Sequence, residues 1–121
     1  MADNRIAGVA YLKVDGEQIE LKGSFKYQIN TVKREPLVGQ SGVVGFKEMP
    51  AAPHIAGEVF DMPGTRVRRL EDIVDATVQL ELANGKTIVL RGAWWEDASE
   101  VDTEGGSYPV KFCGLEGFEV L

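Results

Sequence analysis

One histidine, one cysteine, four serines, a run of carboxylates and a pair of tryptophans are the residues of this sequence that could do chemistry. His54 is the sole histidine, so any serine or cysteine triad has to use it as the base. None of Ser24, Ser41, Ser99 or Ser107 sits in a Gly-x-Ser-x-Gly elbow, and Cys113 lies in an alternating stretch. His54 therefore reads as a histidine at the start of a strand, and Cys113 as a small buried hydrophobe. The triplet Gly39-x-x-Gly42-x-x-Gly45 has phosphate-cradle spacing but lacks the following Lys-Ser/Thr and a long helix. Licence for unusual backbone is the better account of it. Glu96, Asp97, Glu100, Asp102 and Glu104 could offer oxygens to calcium, yet their spacing does not fit the twelve-residue calcium loop, and a solvated loop is the default. Trp94-Trp95 could stack a sugar or a base. Neighbours on a strand face opposite ways, so one tryptophan fills the core and the other meets a surface or an interface. No enzyme, metal site or cofactor is expected.

The elements that must position these residues are strands. Val9 to Val14 alternates, Asp15-Gly16 supplies a tight turn, and Gln18 to Lys22 returns. Ser24 to Thr31 alternates with Phe25, Tyr27 and Ile29 on one face. His54 to Phe60 reads as a further strand. Ala76 to Leu82, the turn Asn84-Gly85 and Thr87 to Arg91 form a second hairpin, and Ser107 to Cys113 is the final predicted strand. One segment has helical spacing: Val67, Leu70, Ile73 and Val74 share a stripe, Arg68 and Asp72 stand at i,i+4, and Thr65 is the expected N-cap. Such a helix of about 8–10 residues is marginal alone and must pack on the sheet. The fold expected is mainly β, an antiparallel sandwich or barrel with one short packed helix, in a single domain over 1–121.

Composition narrows the function classes. Apolar residues make up 44% and charged residues 26%, the balance of a globular chain. Acids outnumber bases 19 to 13, for a formal charge of −6. Residues 1–60 carry seven of each, whereas 61–121 carry twelve acids and six bases. That balance disfavours an oligonucleotide-binding barrel. No uncharged stretch is long enough for a membrane-spanning helix. The opening Met1 to Arg5 lacks signal-peptide pattern, so synthesis in the cytoplasm is expected. A single cysteine excludes an internal disulfide framework.

Lys33 to Pro50 stands apart. It holds Gly39, Gly42 and Gly45 among Leu37, Val38, Val43, Val44, Phe46 and Met49, and is read as a long apolar connection. Apolar surface that one small domain has little means to cover points to an assembly.

Several collinear stretches resemble the tail tube proteins of Mu-like contractile phages. They are Arg5-Ile6-Ala7-Gly8 through Leu12-Lys13-Val14-Asp15-Gly16, and Gly42-Val43-Val44-Gly45-Phe46-Lys47-Glu48-Met49-Pro50. Leu70-Glu71-Asp72-Ile73 through Asp75-Ala76-Thr77-Val78, with Leu80-Glu81-Leu82-Ala83-Asn84-Gly85-Lys86-Thr87, continues the likeness. Val89-Leu90-Arg91-Gly92-Ala93-Trp94 and Val101-Asp102-Thr103-Glu104-Gly105-Gly106 complete it. Trp94-Trp95 and Cys113 depart from the pattern.

The resemblance implies a virion structural protein whose hexameric rings stack into a tube, the conduit for DNA during injection. It also implies a long connection that reaches neighbouring subunits, which makes Leu37, Val38, Val43, Val44, Phe46 and Met49 the expected subunit interface. The polar strand faces at Gln28, Asn30, Glu58, Thr77, Gln79 and Glu81 are the expected lumen wall. The expected partners are other copies, a tail sheath and further tail proteins; DNA passes without specific binding, and no membrane anchor is expected. The expected location is the virion tail, after synthesis in the host bacterial cytoplasm. The alternatives are the tube of a phage-derived injection particle or secretion system, and a soluble β-barrel ligand-binding module that uses Trp94 or Trp95.

Overall fold

The computed structural model describes residues 10–64 and 66–121. The predicted N-cap Thr65, the stretch Arg5 to Gly8 and the first residue of the first predicted strand, Val9, lie outside the described residues.

Ten strands are described: β1 Tyr11–Val14, β2 Glu17–Ile19, β3 Leu21–Gln28, β4 Val32–Gly39, β5 Gly42–Pro50, β6 His54–Phe60, β7 Ala76–Glu81, β8 Thr87–Trp95, β9 Ser107–Cys113 and β10 Glu116–Val120. Every pairing is antiparallel. Eight strands form the body in the order β2-β1-β7-β8-β9-β6-β3, with β10 beside β8. β8 belongs to two layers: Thr87–Arg91 pairs with β10, and Trp94–Trp95 pairs with β9. This is the expected mainly β fold.

Asp15-Gly16 turns β1 into β2 with both residues at positive φ, 50° and 84°, the geometry whose twist suits a two-residue hairpin. The Asp15 N–H donates to Thr77 O, and Asp15 Oδ1 accepts the Thr77 N–H, each at 2.9 Å. The turn is thereby stapled to β7. Strand alternation then builds the core. Ala76, Val78 and Leu80 of β7 are buried, as are Ile55 and Val59 of β6 and Tyr108, Val110 and Phe112 of β9. The Val, Leu, Ile and Phe side chains among them each contribute about 1.5–3 kcal/mol by leaving water. On β6, Gly57 faces inward opposite Phe25, and a Cβ there would overlap the Phe25 ring. The glycine makes room for the aromatic lid.

Three elements of the body differ from expectation. The predicted α-helix is a 3-10 helix of six residues, Val67–Asp72, with Leu70 buried. Its bonds run from Arg69 N to Arg66 O and from Ile73 N to Leu70 O, while the Ile73 carbonyl accepts the Trp95 N–H. Drawn to β8, Ile73 takes an extended backbone and ends the helix. No Arg68–Asp72 ion pair forms among the described residues, and Val74 is 71% exposed. β3 starts earlier than predicted because a bulge between Lys22 and Phe25 absorbs Gly23 and Ser24. β10 was not predicted at all.

The largest difference lies in Lys33 to Pro50, which is not a loop but most of a β-hairpin. β4 and β5 make a separate two-stranded sheet, turned at Gln40-Ser41. This pair prolongs β3 and β6, so residues 21–60 form one long hairpin bent at 29–31 and 51–53. The lower half is in the body. The upper half, about 25–30 Å long at strand rise, projects as an arm, and among the described elements its substantial contacts are between its own two strands.

Candidate assembly surface

The arm has a charged root and an apolar tip. At the root Arg34 Nε donates to Glu48 Oε1 at 2.9 Å, and Glu35 lies between Lys47 (3.6 Å) and Lys33 (3.9 Å). The Arg34 guanidinium also stands over the Phe46 ring, 5.4 Å from its centroid. Beyond Pro36 and Phe46 the charges stop. Val38 is 70% exposed, Val43 74%, Val44 79% and Phe46 59%, with Leu37 also exposed and Met49 half-buried. A bulge between Leu37 and Val38 makes Val44 the extra residue. Alternation puts Leu37 and Gly45 on one face and Pro36 and Phe46 on the other, so the tip is apolar on both sides. The six residues expected at an interface all lie on this arm.

Gln28 fixes the arm to the body. Its Nε2 donates to Ala52 O at 3.2 Å, and its Oε1 accepts the Asn30 N–H. One side chain thus ties both strands of the bend.

The six residues expected at a lumen wall do not share a face. Thr77, Gln79 and Glu81 stand in a row on the outer side of β7, where Glu81 accepts from Lys13 Nζ at 3.1 Å. Glu58 lies on the outer side of β6, in register with Lys22. That is the other layer of the body. Gln28 and Asn30 are taken up by the bend.

Part of the set that could do chemistry meets on the outer side of β9. His54 and Trp94 flank Cys113 in register, and Lys111 Nζ lies 3.0 Å from Glu96 Oε2. Cys113 is 3% exposed, and burial with a hydrogen bond to Glu96 pushes its thiol up to about 11. A protonated buried thiol is a poor nucleophile. The hydrogen bond from Lys111 holds Glu96 below its usual range. Trp95 packs on the core, so the tandem tryptophans form no joint stacking platform. Among the described residues no group of three or more His, Cys, Asp or Glu is placed to hold a metal.

Sequence reasoning missed a groove of about 530 Å³ at the Phe60 end of β6, opposite the end from which the arm leaves. Phe60, Met62, Leu70, Ile73 and Val74 supply its apolar lining, and Asp15, Glu17, Glu20, Asp72 and Asp75 its carboxylates. It draws on several separate stretches of chain, so no local pattern announces it.

Solved structures share this fold at low sequence identity, among them chains of contractile injection systems. The fold matches the cap of the anti-feeding prophage, which terminates its tube, with a TM-score of 0.65 at 13% identity over 99% of this chain and 94% of that one. It matches a chain of the sheath–tube complex of an extracellular contractile injection system with a TM-score of 0.63 at 15% identity, over 98% and 94%. Hcp1 from Flavobacterium johnsoniae gives 0.63 at 11% identity, over 93% and 94%.

The phage tail tube protein family matches residues 3–119, and the chain belongs to that family. It is 31% identical over 109 residues to the tail tube protein of Escherichia phage Mu, covering 88% of this chain and 87% of that protein. It is 29% identical over 109 residues to the Mu-like prophage FluMu tail tube protein of Haemophilus influenzae, covering 90% and 91%. The resemblance read from the sequence holds.

Proposed function

We propose that copies of this chain close into hexameric rings that stack into the tail tube, and that the arm holds neighbouring copies together. The observation that carries this reading is the arm tip, where Leu37, Val38, Val43, Val44 and Phe46 remain exposed and none of the described residues covers them. Several side chains of that size, at about 1.5–3 kcal/mol each, are enough to hold subunits in register. Met49, half-buried nearer the root, completes the contact.

The lumen wall is the outer face of β7, with Thr77, Gln79 and Glu81. Its lysine, Lys13, is neutralised by Glu81, so the face offers little to phosphate. Glu58 shares its face with Lys22 and Lys26 and is assigned outside the lumen. DNA slides past without specific binding. A sheath, as in the sheath–tube complex that this fold matches, surrounds the tube. The chain is made in the host cytoplasm, ends in the virion tail, and catalyses no reaction. Its only histidine and cysteine are neighbours, but the thiol stays protonated.

Sedimentation over a wide concentration range and negative-stain microscopy test the reading. Rings or tubes at high concentration, with monomer on dilution, are expected. Monomer at every concentration overturns it.

A further inference from the structure

The arm leaves unanswered where its tip goes. It does not fold back, since no residue of 32–50 lines the groove at the far end of β6. Tip and groove nevertheless match in two independent respects. The tip is apolar on both faces, and the groove presents Leu70 and Ile73 with Phe60, Met62 and Val74, the last three well exposed. The net charges are also opposite in sign, although the basic groups of the arm root are already paired within the arm. The arm root carries Lys33, Arg34 and Lys47 against Glu35 and Glu48. The groove is lined by five carboxylates, Asp15, Glu17, Glu20, Asp72 and Asp75, against Arg66 and Arg69. None of these seven groups takes part in an ion pair among the described residues.

We infer that the groove between β2, the 3-10 helix and the Phe60 end of β6 is the receptor for the arm tip of a second copy of this chain. The inference rests on the tube reading and adds the receiving surface to it. The apolar tip enters the groove, and the basic side chains at the root meet the carboxylates around it. Donor and receptor lie at opposite ends of β6, so the contact is head-to-tail. Such a contact propagates from copy to copy, as a ring or tube requires. The carboxylates also give the contact a preferred partner, because an arm of reversed charge is repelled at the mouth of the groove.

Disulfide trapping tests this with the full chain. Val44→Cys is made in one preparation and Val74→Cys in another, the second with a size tag; both positions are exposed, and native Cys113 is buried. After mixing, assembly and mild oxidation, a covalent heterodimer at least ten-fold more abundant than either homodimer is expected. A disulfide needs Cα atoms within about 7 Å, so the product reports direct apposition. Tubes seen by microscopy without that heterodimer overturn the receptor assignment while leaving the tube reading intact. A wild-type chain that never forms rings or tubes overturns both. A charge exchange decides independently of cysteine. Lys33→Glu/Lys47→Glu is expected to weaken assembly at least ten-fold, and adding Glu17→Lys/Asp75→Lys to the receptor is expected to restore it. Failure to restore in an otherwise folded, soluble pair counts against the groove.

Discussion

On β6, Ile55 and Val59 are fully buried; on β5, which leads into it along the same hairpin, Val43 and Val44 are about three-quarters exposed. The two regions share strand geometry and residue types, and differ in what lies beside them. The body closes a second layer over its apolar face, whereas the arm has a strand partner and no layer. Side-chain burial, rather than β pairing, therefore marks which half of the hairpin stabilises the fold and which half does not. Gln28 sits where the regimes meet. It fixes the direction of the arm without adding to the core.

If that division is right, damage to the body and damage to the arm should be separable. The largest expected effect is Phe112→Ala, which removes the largest fully buried side chain and costs about 3–5 kcal/mol. Denaturant unfolding of dilute protein measures it, and the arm plays no part in the loss. Gly57→Val is expected to destabilise the monomer by about 1–3 kcal/mol, because the new side chain meets the Phe25 ring. A neutral outcome would show that Phe25 is free to move away.

The pH dependence belongs to the body as well. The Cys113 thiol ordinarily titrates near 9.0 and is raised to about 11 in the fold. The folded state holds the proton longer than the unfolded chain does, so stability is fully present below about pH 9 and is lost as pH rises towards 11. Melting temperature against pH should show that decline, and Cys113→Ala should flatten it. The smallest effect is expected for Gln28→Ala, which removes two exposed hydrogen bonds at the bend, together worth about 1 kcal/mol. The melt should change little while assembly weakens a few-fold. Sedimentation at fixed concentration reads that difference, and an unchanged assembly constant would mean the arm is held by other contacts.

Much of the body was legible from alternation and turn residues. Asp15-Gly16, β6, β7 and β9 stand close to where their patterns put them, because each has a buried face and a clear stop. The arm was misread as a loop because its apolar residues face solvent on both sides, so the usual in–out contrast is missing, and the bulge at Val44 breaks the period. The 3-10 helix was over-extended because Ile73 gives its carbonyl to Trp95, a tertiary bond without a local sign. The interface candidates could be read as apolar surface lacking cover. The lumen candidates could not be resolved, since alternation separates the two sides of a strand but not the two layers of a sandwich. The groove is assembled across the fold and has no local signature.

The central claim is that the arm tip holds copies together and contributes nothing to the monomer's own core. Replacing Val44 and Phe46 together by serine tests it most directly, with a circular dichroism melt and negative-stain microscopy on the same preparation. An unchanged spectrum and melt, with rings and tubes abolished, are expected. Tubes that persist, or a body that unfolds, would contradict it.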